Sequence, residues 1–224
     1  MIDRNLLLFV SGIITLLTSC QAQPASDKAN QQKAPARSQQ PVGGGCEGCE
    51  LMYVAMPNEI TPEHRSIGWT EGTQKLIVTG RVFQRDGKTP APGVIIYYWH
   101  TDENGLYSSN SLTPANARQH GKHRGWVKSD KDGNYTMKTV RPGAYPNDVI
   151  PQHIHLSIKE PDIPQEYYAD LYFEDDPLYA GHVKKYGKAD RAGNELLRVR
   201  REGGVQIAEH AVILGLNIPN YPDK

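Results

Sequence analysis

From residue 75 onward, β-prone runs are cut at short intervals by Asp-Gly and Asn-Gly turn signals, and this punctuation leaves room for little besides an antiparallel β fold. Residues 75–84 (KLIVTGRVFQ) lead into Arg85-Asp86-Gly87, and 93–100 (GVIIYYWH) into Asp102-Glu103-Asn104-Gly105. Residues 126–129 precede Asp130-Lys131-Asp132-Gly133; further runs cover 134–140, 152–158, 167–173 and 204–216. The 21 Gly and 16 Pro fit many short strands better than a helical bundle. The pattern predicts an all-β, antiparallel sandwich with long loops and few short helices, one of them around 113–118. With 25 basic and 25 acidic side chains, the chain has no cationic surplus to neutralise phosphates, which argues against nucleic acid as a partner.

The N-terminus reads as an address. An apolar run at residues 6–17 follows Asp3 and Arg4, long enough for a signal-peptide core and short of the ~20 residues that span a bilayer. It ends in Leu17-Thr18-Ser19-Cys20, similar to a bacterial lipobox, so residues 1–19 are expected to be removed and Cys20 lipidated. A lipidated Cys20 would tie the exported chain to a membrane facing the periplasm or cell surface. With Gln21 following, the outer membrane is favoured in a host that has two. Residues 20–45 carry no hydrophobic periodicity and read as a flexible tether to a domain at 46–224. In an exported protein the remaining pair, Cys46 and Cys49, is by default a disulfide, with a redox-active Cys-x-x-Cys and half of a zinc site as the alternatives.

Gln152-His153-Ile154-His155-Leu156 places two imidazoles at i and i+2, on one face of a strand, with Ile154 turned to the other. Two surface histidines on an exposed strand would give the same pattern. Tyr145 lies eight residues upstream in Arg141-Pro142-Gly143-Ala144-Tyr145-Pro146, and Tyr107 follows Asn104-Gly105-Leu106. Tyrosines after turns also plug sandwich corners. As a ligand set, however, two hard phenolates with two imidazoles favour Fe(III) over zinc, and the phenolates cancel two of its three charges.

At these residues the chain resembles the intradiol ring-cleavage dioxygenases, the family of protocatechuate and catechol dioxygenases. The resemblance runs over residues 79–178. It is carried by Gly80-Arg81-Val82-Phe83, Pro92-Gly93-Val94, Trp99-His100-Thr101-Asp102, Gly105-Leu106-Tyr107, Arg124-Gly125-Trp126, the 129–135 and 139–146 segments, His153-Ile154-His155 and the 171–178 segment. It implies a β-sandwich with a mononuclear non-haem Fe(III) held by Tyr107, Tyr145, His153 and His155. It further implies cleavage of a catechol-type diol by O2 to a cis,cis-muconate, without an external reductant. In that scheme Tyr145 leaves the metal and takes one substrate proton while Tyr107 stays bound. Oligomers occur in the family, through surfaces that spacing does not reveal.

One departure stands out. The family's Arg-Pro-x-His-x-His reads Ile150-Pro151-Gln152-His153-Ile154-His155 here. Loss of a preorganised cation beside developing negative charge costs ~10²–10³ in rate. Gln152, Arg124 and Arg141 are the candidates to compensate. A non-catalytic protein that binds iron or a catecholate on the same fold is therefore the alternative function, and a metal-free structural sandwich a third. Among weaker leads, His120-x-x-His123 reads as a solvated loop or, if helical, a second metal site. Glu174-Asp175-Asp176 reads as turn chemistry, Trp99 and Trp126 as core or pocket wall, and Asn134-Tyr135-Thr136 as an unused glycosylation sequon. The 181–224 stretch either covers the site or completes the sheet.

Overall fold

The computed structural model describes residues 41–222. The expected export signal, Cys20 and most of the tether lie outside the described residues. The strands are β1 (Glu63–Arg65), β2 (Lys75–Phe83), β3 (Ile95–Trp99), β4 (Arg124–Lys128), β5 (Asn134–Val140), β6 (His153–Lys159), β7 (Tyr167–Phe173), β8 (Leu196–Leu197), β9 (Val199–Glu202) and β10 (Val205–Ile213). One sheet has the order β1-β5-β2-β10-β9 and the other β4-β3-β6-β7-β8. The helices α1 (Ile67–Glu71) and α2 (Tyr179–Tyr186) are short, and the helix expected near 113–118 is a 3-10 turn at Ala115–His120.

The expectation of purely antiparallel sheets is corrected. β1 pairs with β5, β10 with β2, and β8 with β7 in parallel. Side chains alternate with the same period in both kinds of strand, so a hydrophobic pattern does not encode direction. Turn signals report hairpins between consecutive strands, whereas these parallel pairs join strands well separated in the chain. Residues after 181 complete both sheets through β8, β9 and β10.

Apolar side chains of both sheets meet in one core, among them Leu76, Val78, Ile96, Tyr98, Ile154, Leu156, Leu171, Phe173, Ala208 and Val212. Burial of this surface is the main driving force for the fold. On the opposite side of β3, Tyr97 and Trp99 join Trp126, Cys49 and Met52 in a second apolar cluster. That outer face is covered by the segment leading into a 3-10 turn at Cys49–Tyr53. The Trp126 indole donates to the Met52 carbonyl at 2.7 Å, and Cys46 and Cys49 are joined by a disulfide. Alternation along β3 thus fills two cores, which is why Ile96 to Trp99 are all buried.

The last residues assigned to the tether are docked rather than extended. The Val42 amide donates to Gln165, Gly43 donates to the Pro219 carbonyl at 2.7 Å, and Val42 packs on the main core. Among the described residues no helix is long and apolar enough to cross a membrane.

Candidate metal centre

The second sheet presents a row of three residues on adjacent strands. Trp99 of β3 sits opposite His155 of β6, which sits opposite Asp170 of β7. The Trp99 ring stacks on His155 with centroids 4.9 Å apart, and His155 Nδ1 donates to Asp170 Oδ1 at 2.7 Å. One position along, His153 faces Tyr172, and its Nδ1 donates to the Pro151 carbonyl at 2.7 Å. Each imidazole therefore spends its Nδ1 proton on an oxygen that accepts it, which leaves Nε2 as the ring atom turned toward the site. Burial, reinforced by His155, lowers the His153 pKa to about 4, so this ring is neutral.

The two Nε2 atoms lie 3.0 Å apart. Two lone pairs at that distance repel unless a proton or a cation lies between them. Tyr145 Oη is 3.2 Å from His153 Nε2, and Tyr107 Oη is 2.8 Å from Tyr145 Oη. Metal–donor bonds of roughly 2 Å at right to tetrahedral angles set neighbouring donors roughly 2.8–3.3 Å apart. The four atoms thus have the spacing of a shared coordination shell. Among the described residues no group of three or more His, Cys, Asp or Glu is arranged to hold a metal. Burial raises the pKa of Tyr107 well above the ordinary phenol range, helped by Tyr145 and Asp170. Burial also raises Tyr145, with Asp170 and Asp148 adding to the shift. Phenolates form here only alongside a compensating cation.

Both tyrosines come from loops that are locked together. Thr101 Oγ1 donates to the Gly143 carbonyl at 2.8 Å, and the Gly143 amide donates to the Asp102 carbonyl at 2.8 Å. Gly105, with φ +78°, passes so close to the Ala144 carbonyl that a Cβ would lie 1.9 Å from its oxygen. A side chain there would push apart the loops that carry Tyr107 and Tyr145.

Tyr107, Tyr145 and His155 open into a cavity of about 500 Å³, lined also by Gly45, Cys46, Glu47, His120, Tyr168 and Asp170. Neither arginine proposed to replace the missing cation reaches it. Arg141 is spent on Asp175, Gln152 and Gln206. Arg124 bonds the Val54 carbonyl and lies over Tyr97 and Trp126. Gln152 is held by Arg141 and by Asp176, which accepts its amide hydrogen at 2.8 Å.

His120 and His123 are neither a solvated loop nor a shared metal site. Both are buried; His120 stacks on Trp99 and bonds Tyr97, whereas His123 stacks on His100. Asp175 and Asp176 of the acidic run anchor Arg141 and Gln152, which is more than turn chemistry.

Asp170 is the member of the site that sequence reasoning missed. Its signal was present: a hairpin centred between Asp162 and Ile163 sets His155 opposite Asp170 and His153 opposite Tyr172. Burial alone would raise the Asp170 pKa, but the hydrogen bond from His155 and nearby charge outweigh it and leave the carboxyl below its ordinary value.

A family model described as "Dioxygenase" matches residues 52–197. The protocatechuate 3,4-dioxygenase beta chain of Burkholderia cepacia is 29% identical over 132 residues, covering 55% of each chain. Catechol 1,2-dioxygenase of Acinetobacter baylyi is 30% identical over 95 residues, covering 42% of this chain and 30% of its own. The chain thus spans about half or less of the length of these relatives. Among solved structures, the dioxygenase domain of a carbohydrate-binding fusion from Streptomyces sp. SirexAA-E has a TM-score of 0.52 at 25% identity, covering 70% of this chain and 90% of that one. Catechol 1,2-dioxygenase from Pseudomonas arvilla C-1, at 21% identity, has a TM-score of 0.51 and covers 78% and 60%, a likeness of fold alone.

The His155–Asp170 pair predicts a measurable contribution to metal affinity. Asp170→Ala should weaken iron binding ~10–100-fold, as loss of a carboxylate behind a ligating histidine does. Asp170→Asn, whose amide oxygen still accepts from Nδ1, should keep most of it. Titration of the apoprotein followed by visible absorbance reads both.

Proposed function

The chain belongs to the intradiol ring-cleavage dioxygenases, and from that membership we propose that it binds one ferric ion through Tyr107, Tyr145, His153 and His155 and cleaves a catechol-type diol with O2. The observation that carries this reading is the convergence of four donor atoms at 2.8, 3.2 and 3.0 Å, with Tyr107, Tyr145 and His155 at the wall of a cavity. A ferric ion held there would supply the charge that favours deprotonation of a bound catechol and would make its ring reactive toward dioxygen.

The protein's own groups have separable tasks in this scheme. Tyr145, as phenolate, accepts one proton of the arriving diol at its Oη, in reach of Tyr107 Oη to steady the resulting phenol. Tyr107 and His153 keep their places through the clasped loops and the Pro151 carbonyl. Asp170 fixes the tautomer of His155, and Trp99 fixes the plane of its ring. The Trp99 and His120 rings, stacked at 4.1 Å, form an aromatic wall that keeps bulk water from one side of the cavity.

Ile150 is the observation that favours the second reading, binding without efficient turnover. Among the described residues no guanidinium lines the cavity in place of the family arginine, so charge that develops on the cleaving substrate would meet no preorganised cation from them. We also place the protein on the outer side of a membrane, lipid-anchored at Cys20, on the strength of the lipobox-like Leu17-Thr18-Ser19-Cys20 alone.

The protein purified aerobically with iron should be coloured by a tyrosinate-to-metal band, which Tyr145→Phe should alter. Catechol under air should shift the band and yield a ring-opened product. A colourless, iron-free protein overturns the reading, and a shifted band that persists without product selects the binding-only alternative. Ile150→Arg should raise turnover by roughly 10–10² if the missing cation limits the rate. In cells, Cys20→Ser should move the protein from the membrane fraction to the soluble one; unchanged partitioning would refute the anchor.

A further inference from the structure

The cavity has a charge pattern that nothing in the ring-cleavage reading requires. Its volume of about 500 Å³ is that of a site for a drug-sized ligand, so a simple catechol seated on the tyrosine and histidine donors leaves room for a substituent. Away from those donors the wall is made by residues 45–47, held by the Cys46–Cys49 disulfide, and by Tyr168. No lysine or arginine lines it among the described residues, and two carboxylates do: Asp170 and Glu47.

These two acids are not equivalent. Asp170 is bonded to His155 and feels the nearby charge of Arg191. Arg191 itself lies over the Tyr168 ring and donates to the Tyr168 and Gly43 carbonyls. Glu47 is exposed at the rim and makes no hydrogen bond or ion pair among the described residues. The remaining wall histidine, His120, gives no compensating charge, since burial lowers its pKa to about 3. A carboxylate substituent would therefore meet a like charge, whereas an ammonium group would meet the opposite charge of Glu47.

Building on the ring-cleavage reading, we propose that this site is specific for catechols with a cationic or neutral ring substituent and discriminates against those bearing a carboxylate, with Glu47 as the specificity-determining residue. This separates it from the B. cepacia relative, whose name gives protocatechuate, a dihydroxybenzoate, as its substrate.

The test is calorimetric binding to the iron-loaded full chain, without oxygen, of three catechols of similar size: 4-(2-aminoethyl)catechol, 4-ethylcatechol and 3,4-dihydroxyphenylacetate. The aminoethyl compound should bind about tenfold more tightly than the acetate, with the ethyl compound between them, from one ion pair gained and one like-charge contact avoided. Glu47→Gln should shrink that ratio to below about threefold, Glu47→Lys should reverse the order, and 0.5 M salt should compress it. Equal or tighter binding of the acetate to the unmodified protein overturns the specificity proposal while leaving ring cleavage standing. An order untouched by Glu47→Lys removes Glu47 from it. Failure of all three to bind takes down the ring-cleavage reading as well.

Discussion

The row formed by Trp99, His155 and Asp170 is the constraint on which the candidate centre depends. Three strands must pair in one register for the aromatic face, the imidazole and the carboxylate to become neighbours. A slip of one residue in β6 would turn both histidines into the main core and Ile154 out to the cavity. The apolar demand of the core therefore protects the site: Ile154, Leu156 and Ile158 can be buried only when His153 and His155 face outward. Register also decides chemistry, because Asp170 opposite His155 engages Nδ1 and leaves Nε2 turned toward the site. The folding energetics and the ligand geometry are thus one property of β6.

The phenols are positioned by a different device. Tyr107 and Tyr145 belong to no strand, and their precision comes from two loops clasped backbone to backbone through Thr101, Asp102 and Gly143. Asp102 Oδ1 closes its own turn by accepting from the amides of Asn104 and Leu106. Glu103 accepts from the amides of Thr73 and Gln74, tying the same loop to the start of β2. One half of the donor set is rigid because a sheet holds it, and the other because paired loops leave few backbone groups unsatisfied. This division suits the proposed chemistry, which asks one tyrosine to exchange a proton and both histidines to stay still.

The arginines show how a sequence lead can be answered by tertiary structure. Arg141 lies close in the chain to Tyr145, yet its guanidinium is turned under β7 to Asp175 and Gln206, over the Phe173 ring. Arg124 begins β4 and lies against Tyr97 and Trp126. Both charges are committed to packing and hydrogen bonding, so the cavity keeps the negative character set by Asp170 and Glu47.

The sequence by itself determined the strand positions, because alternation and turn residues are properties of neighbours in the chain. Residues 134–140 and 167–173 appear as β5 and β7 with the bounds the pattern gave. It also singled out Tyr107, Tyr145, His153 and His155 as a group, through a resemblance carried by local motifs. It missed α2, whose run is interrupted by Gly181, and the short pieces β1, β8 and β9, which are too brief to show a period. Tertiary structure alone decided the parallel pairings, the partner of His155, the separate fates of His120 and His123, and the placing of the disulfide loop at the cavity wall. Those are contacts between residues distant in the chain, from 15 positions apart for His155 and Asp170 upward. They follow from how two sheets close over a shared core, for which a linear pattern supplies the surfaces but not their mutual placement.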